Sequence, residues 1–149
     1  MVTTRAYLGG TFDLLHPGHI ALLRWAKANF REVVVGLNTD EFVERVKGRP
    51  IMTYEERKDM LLAVRYVDYV VLNLGSEKSL SSILASKATH IVAGADWRPR
   101  EKYLKQLGLT EEDLKIYGLD IVFYPNSLPI RTTEIKQRVL SSKSTFRPV

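Results

Sequence analysis

Short, nearly continuous apolar runs alternate along this chain with longer stretches in which apolar positions recur at helical spacing. The runs are Arg5–Leu8, Glu32–Leu37, Tyr69–Leu72, His90–Ala93 and Ile121–Tyr124, rich in Val, Ile and Tyr. Such runs read as parallel strands buried on both faces. Between them, helices are predicted over His19–Phe30, Thr53–Val64, Leu80–Ser86 and Thr132–Leu140. Thr53 and Glu56 form a T-x-x-E capping box at the second of these. Residues 98–118 read as a charged helical hairpin, its second helix opening at Thr110-Glu-Glu-Asp113. Strand–helix alternation of this kind predicts one doubly wound α/β domain over residues 1–140, with a mostly parallel five-stranded sheet. Residues 141–149 read as a tail.

Composition narrows the class. A chain of 149 residues is one domain by length. Its 45% hydrophobic and 26% charged content is that of a soluble globular protein. No apolar run approaches the ~20 residues of a membrane span, and Met1-Val-Thr-Thr-Arg5 lacks the apolar stretch of a signal peptide. A cytoplasmic protein with no membrane partner is the expectation. Zero cysteines exclude disulfides, thiolate catalysis and Cys-ligated zinc. The net charge of +5 raises the question of nucleic acid. Its basic residues, however, are interleaved with acids, as in Glu41-Phe-Val-Glu-Arg-Val-Lys47 and Glu55-Glu-Arg-Lys-Asp59. No basic block with interleaved aromatics is present, so no nucleic acid is expected, and a small anionic substrate accounts for the surplus.

One stretch concentrates candidate chemistry. Gly9-Gly-Thr-Phe-Asp-Leu-Leu-His-Pro-Gly-His19 leads from the first apolar run into the first helix. Glycines let backbone approach a phosphate closely, and the N–H groups and positive dipole end of a helix favour the same anion. His16 and His19, three apart around Pro17-Gly18, can project toward one bound group. Asp13 in this turn either fixes it through local backbone bonds or orients a metal. After the second run, Lys47 and Arg49 on the loop Lys47-Gly-Arg-Pro50 suit a phosphate clamp. Gly94-Ala-Asp-Trp97 follows a buried strand and so lies at the same edge of the sheet, with Trp97 either a core anchor or a site wall. Thr132 or Thr133 is a natural N-cap for the last helix, whose amides can hold phosphate.

Gly10-Thr-Phe-Asp-Leu-Leu-His-Pro-Gly-His-Ile20 resembles the HxGH signature of the nucleotidyltransferase superfamily. It is most similar to the cytidylyltransferase branch typified by glycerol-3-phosphate cytidylyltransferase. Asn38-Thr-Asp-Glu-Phe42, Tyr54-Glu-Glu-Arg-Lys58, Arg65-Tyr-Val-Asp68, Gly94-Ala-Asp-Trp97 and Ile130-Arg-Thr-Thr-Glu-Ile135 follow in that family's order. The resemblance implies a Rossmann-like fold and Mg²⁺-dependent attack of an acceptor phosphate on the α-phosphorus of a nucleoside triphosphate, CTP by preference, with loss of pyrophosphate. It implies that His16 and His19 stabilise the pentavalent centre without a covalent intermediate, with Lys47 and Arg49 as further catalytic cations. It assigns Gly10, Thr11, Phe12, Gly18 and Asn126 to the nucleotide, Arg57 to a phosphate, and Gly94, Asp96 and Trp97 to base and ribose. Ile130, Arg131, Thr132 and Thr133 fall to the triphosphate. Asp13 is the candidate metal ligand. A homodimer around Arg65–Val71 is implied as well.

Departures from the family pattern bear on substrate. The basic pair at Lys47 and Arg49 is shifted by one residue and ends in arginine, closer to sugar-phosphate adenylyltransferases. Ala95 stands where a second aspartate is usual, Asn126-Ser127 where Arg-Thr is usual, and Arg131 where serine is usual. One cation removed and one added predicts that Arg131 contacts the β- or γ-phosphate. Residues 98–118 look longer than in the glycerol-phosphate enzymes, either a solvated excursion or a lid or partner surface. The leading reading is CMP transfer from CTP to a small phosphorylated alcohol. The alternatives are adenylyl transfer from ATP to a sugar phosphate or flavin-type acceptor, and a nucleotide-binding module without catalysis.

Overall fold

All five apolar runs form strands, and all five lie parallel in one sheet. The computed structural model describes residues 3–142, so 143–149 of the expected tail lie outside the described residues. The strands are β1 (Arg5–Gly10), β2 (Glu32–Asn38), β3 (Tyr69–Asn73), β4 (His90–Ala93) and β5 (Asp120–Phe123). Their order is β3-β2-β1-β4-β5. The chain winds from β1 through β2 to β3, then returns to the other side of β1 for β4 and β5. The crevice beyond the C-terminal ends of β1 and β4 is the switch point, where folds of this kind take their ligands.

The helices are α1 (Pro17–Asn29), α2 (Asp40–Lys47), α3 (Tyr54–Leu62), α4 (Ser79–Ala85), α5 (Arg100–Leu107), α6 (Glu111–Tyr117) and α7 (Thr132–Ser141). Alternation along the strands divides the core in two. Ala6, Leu8, Val33, Val35, Leu37 and Val92 pack with Leu23 and Ala26 of α1 and Leu61 of α3. Tyr7, Val34, Ile91 and Ala93 pack with Ile83 of α4, Tyr103 and Leu107 of α5 and Leu114 of α6. Period-two side chains on one sheet thus serve two helical layers. The hairpin over 98–118 is not a solvated excursion: it covers one whole face of β4 and β5 through these contacts.

Helix α2 departs from the expectation of an irregular basic loop after β2. Phe42 and Val43 are buried along it, and Val46 follows at helical spacing, a short amphipathic pattern. Further signals are at the ends. Thr39 accepts the Phe42 N–H at 3.2 Å, Asp40 and Glu41 occupy the first turn, and Arg45 and Lys47 the last. Gly48, at φ +95°, stops it. The box of Thr53 and Glu56 forms as expected, with the Thr53 N–H donating to Glu56 Oε1 at 2.9 Å.

Candidate active site

Beyond β1 the chain makes a turn that backbone sterics disfavour. Phe12 (φ +51°) and Leu14 (φ +49°) are both left-handed, which costs energy for residues other than glycine. Tertiary ties hold the turn. The Phe12 ring is buried in the core beside α1. Asp13, also buried, accepts the N–H groups of Ile51 (2.7 Å) and Met52 (2.9 Å). It therefore braces the segment before α3 rather than its own turn. Arg57 of α3 is fully buried and donates to the carbonyls of Met52 (3.0 Å), Thr11 (2.8 Å) and Asn38 (3.0 Å) and to Asp40 Oδ1 (2.6 Å). Expected as a phosphate contact, Arg57 instead lies beneath the turn. Its guanidinium fork matches acceptors from three converging segments, and it holds the Asp40 carboxyl below the usual carboxylate range.

The two histidines build the start of α1. His16 is its N-cap, and His16 Nδ1 accepts the Gly18 N–H at 3.0 Å. Reciprocally, His19 Nδ1 accepts the His16 N–H at 3.2 Å. This is a capping box made from two imidazoles. Because backbone donors occupy both Nδ1 atoms, the neutral rings carry their protons on Nε2. His16 Nε2 spends its proton on Thr132 Oγ1 at 3.0 Å. The His19 ring stacks on His16 (centroids 3.8 Å) and against Phe12 (5.1 Å) and lines the cleft. Burial, then the neighbouring His16, pushes the His19 pKa down to about 3; burial lowers that of His16 as well. The pair is neutral at physiological pH, a fixed donor rather than a proton store.

His19 shares a cavity of about 240 Å³ with Thr11, Asp13, Lys47, Thr132, Thr133 and Lys136. The N-cap of α7 is Arg131, with no side-chain cap, so neither Thr132 nor Thr133 is the cap. They occupy the first two helical positions, whose N–H groups have no intrahelical acceptor and remain for an anion. Lys136, a turn further along the same face of α7, brings its Nζ within 3.7 Å of Asp13 Oδ2. Sequence reasoning missed Lys136; its spacing of four from Thr132 was the available signal. A second recess of about 350 Å³ adjoins the first and is lined by Gly10, Gly94, Asp96, Trp97, Leu128 and Arg131. Here Arg131 pairs with Asp96 and holds that carboxyl below the usual range. Trp97 is partly exposed, and its ring packs on Tyr103 at 5.5 Å.

Several expected site residues lie elsewhere. Lys47 ends α2 facing the cleft, but Arg49 lies with Asp40 and Glu44 in a separate surface hollow, so the two do not form one clamp. Asn126 is exposed and lines neither cavity. Ile130 is buried and acts through its backbone: a Cβ on Gly18 would stand 2.1 Å from its carbonyl oxygen. Gly18 is thus what lets the start of α1 approach the strand-to-α7 segment.

A strained glycine-flanked turn, two neutral histidines at one helix start and a second bare helix start converge on one cleft at the switch point. The sequence profile of the cytidylyltransferase-like family matches residues 7–138. The chain belongs to that family. It is a nucleotidyltransferase. It is 35% identical over 130 residues to glycerol-3-phosphate cytidylyltransferase of Bacillus subtilis, covering 87% of this chain and 92% of that one. It is 39% identical over 117 residues to FAD synthase of Pyrococcus abyssi, covering 75% and 79%. Among solved structures, a lipopolysaccharide core biosynthesis protein from Thermoplasma volcanium superposes with a TM-score of 0.67 at 26% identity, over 85% of this chain and 99% of that one.

The depressed histidines have a thermodynamic consequence for this nucleotidyltransferase. An unfolded histidine binds a proton below about pH 6.5, whereas native His19 does so only near pH 3. Between those values the unfolded state holds more protons, so stability falls as the pH falls. From pH 7 to pH 5 His19 removes up to about 2 kcal/mol. Thermal melts of nucleotide-free protein at the two pH values should show this drop, and His19→Asn should reduce it. An equal drop in the variant would place the effect elsewhere.

Proposed function

We propose that the protein transfers CMP from CTP to a small phosphorylated alcohol, releasing pyrophosphate. The carrying observation is the convergence of the His19 ring, the unsatisfied start of α7 and Lys136 on one cavity at the switch point. The likeness to the Bacillus subtilis enzyme over most of both chains supports the cytidylyl choice. In this reading the triphosphate lies along the 240 Å³ cavity. Gly10, Thr11 and Phe12 shape its wall, Gly18 lets the α1 start approach, and Thr132, Thr133 and Lys136 take the phosphates. His19 Nε2–H donates to the α-phosphoryl oxygens as charge accumulates on them, and His16 orients that ring. Base and ribose take the recess of Gly94, Asp96 and Trp97. Arg131, already paired with Asp96, borders that recess, and Lys136 supplies the cation at the triphosphate. Lys47, common to both cavities, stands where an incoming acceptor phosphate meets the α-phosphorus.

Nothing in this scheme requires the protein to form a covalent bond. The acceptor oxygen attacks in line, the bond to the bridging oxygen breaks, and pyrophosphate leaves carrying its charge into the α7 start. Mg²⁺ is the proposed cofactor. Among the carboxylates of the described residues Asp13 alone lines the triphosphate cavity, and backbone N–H groups already engage both its oxygens. The described residues therefore fit an ion that arrives on the phosphates with its waters, as Mg²⁺ commonly does, better than one held in a protein cage. The ion would supply charge neutralisation on the phosphate oxygens.

The FAD synthase relative favours a second reading, adenylyl transfer from ATP to a flavin-type acceptor. Pyrophosphate release measured with CTP and ATP against phosphorylated alditols, sugar phosphates and FMN separates the two. Turnover with CTP and an alditol phosphate is expected. Turnover only with ATP would overturn the cytidylyl choice and leave the transfer chemistry standing.

A homodimer is proposed through the edge strand. Met60 and Leu62 of α3, Tyr69 and Leu72 of β3 and Leu74 beyond it expose apolar surface at one end of the sheet. Exposed apolar residues along an unpaired sheet edge suit a partner surface, and two-fold dimers are the commonest oligomer. Light scattering should give twice the 17.0 kDa chain mass. A single-chain mass across the micromolar range would refute the dimer.

A further inference from the structure

A third recess, of about 300 Å³, opens on the α4–α5 side of β1. It shares Thr11, Lys47 and Trp97 with the cleft, so the two spaces are continuous. Its volume is at the lower end for sites that enclose a small organic ligand. Helix α5 contributes Tyr103, Gln106 and Leu107 to its wall, together with Phe42 of α2 and Asn73 of β3.

Polar groups around this recess are mostly spent. The Tyr7 hydroxyl donates to Ser82 Oγ at 2.9 Å. Asn73 Nδ2 donates to Asn38 Oδ1 at 2.9 Å, and Asn73 Oδ1 accepts the Gly75 N–H at 3.2 Å. Gln106 Nε2 donates to Ser76 Oγ at 3.2 Å. Tyr103 differs. Only 6% of it is exposed, its ring is fixed against Trp97 (5.5 Å) and Phe123 (6.1 Å), and its hydroxyl has no partner among the described residues. No fully buried side-chain polar atom in the described residues lacks a partner. The Tyr103 hydroxyl is therefore not fully enclosed, and its residue lines both this acceptor-side recess and the cleft.

We propose that Tyr103 hydrogen-bonds a hydroxyl of the acceptor's carbon chain, making α5 the element that selects a polyhydroxylated phosphate monoester. The proposal rests on the nucleotidyl-transfer reading above. A hydroxyl held unpaired by a fixed ring is pre-organised: no rotamer freedom is lost when a ligand oxygen arrives. An acceptor lacking the matching hydroxyl leaves the tyrosine desolvated and unpaired, which is how a site rejects a deoxy analogue strongly. The aromatic walls of Phe42 and Tyr103 suit the C–H faces of such a chain, and Lys47 stands at the cleft end for its phosphate. Burial, with Tyr7 nearby, keeps the Tyr103 phenol protonated throughout the working range.

The test compares wild type with Tyr103→Phe, which keeps the ring packing and removes one oxygen. Alditol phosphates of three to five carbons are assayed against n-alkyl phosphates of equal length, with whichever triphosphate turns over. Wild type should prefer the best alditol phosphate strongly. In Tyr103→Phe its KM should rise about tenfold and the preference should fall by the same factor. The nucleotide KM and the melting temperature should not change. An active wild type with an unaltered preference in Tyr103→Phe overturns this proposal alone. So does a parallel rise in nucleotide KM with lost thermal stability, since that is a purely structural role. A wild type that releases no pyrophosphate with any alditol phosphate defeats both this proposal and the cytidylyl reading.

Discussion

Replacing His19 with alanine is expected to lower kcat by about a hundred- to a thousandfold, the loss that follows deletion of one pre-organised donor to developing phosphoryl charge, about 2.7–4 kcal/mol. The expectation follows from how the ring is held. Its Nδ1 is tied to the His16 N–H and its ring is stacked on His16 and tilted against Phe12, so Nε2–H is aimed before substrate arrives. The nucleotide KM should change far less, because Thr132, Thr133 and Lys136 remain. His16→Ala should lower turnover comparably by a different route. It removes the cap of α1 and the bond to Thr132, so it should also cost about 1 kcal/mol of stability. Steady-state kinetics and melting curves separate the two variants. Near-normal turnover in both would show that the start of α1 is not the reaction centre.

The second large effect is expected far from any substrate atom. Arg57→Ala should destabilise the protein by about 3–5 kcal/mol, as removal of one member of a buried charged network does, lowering the melting temperature by roughly 10 °C or more. Three carbonyls would lose their donor at once, and one of them belongs to Thr11 in the strained turn. Without that tie the left-handed residues Phe12 and Leu14 have less to hold them, so activity at low temperature, where the variant stays folded, should fall too. Lysine should not rescue it, since one ammonium cannot span acceptors arranged for a guanidinium fork. A melting temperature within a few degrees of wild type would show that the turn holds itself.

The strands and the Thr53 capping box were legible because their signals are local: apolar runs for the buried sheet, and paired side chains three residues apart. The HxGH turn was legible for the same reason, its glycine and histidines acting on adjacent backbone. Arg57 was not. Among the acids of Tyr54-Glu-Glu-Arg-Lys58 it reads as a surface charge or, by resemblance, as a phosphate ligand. Its burial arises only when residues 11, 38 and 52 converge on it. Asp13 likewise serves a segment nearly forty residues away. For α7, the sequence named the helix but not which cation faces the cavity beside His19. Packing turns Arg131 toward Asp96 and Lys136 toward Asp13. Arg49 separates from Lys47 because α2 ends between them at Gly48, and nothing in a basic dipeptide pattern announces that.

The most direct test of the account is the fate of the α-phosphate. The protein is incubated with Mg²⁺, a phosphorylated alditol and CTP labelled at the α-phosphorus. The account predicts label in a CDP-linked product, one pyrophosphate released per product formed, and none of either with His19→Ala on the same timescale. Label retained covalently on the protein, or CTP consumed without a labelled adduct of the acceptor, would contradict it.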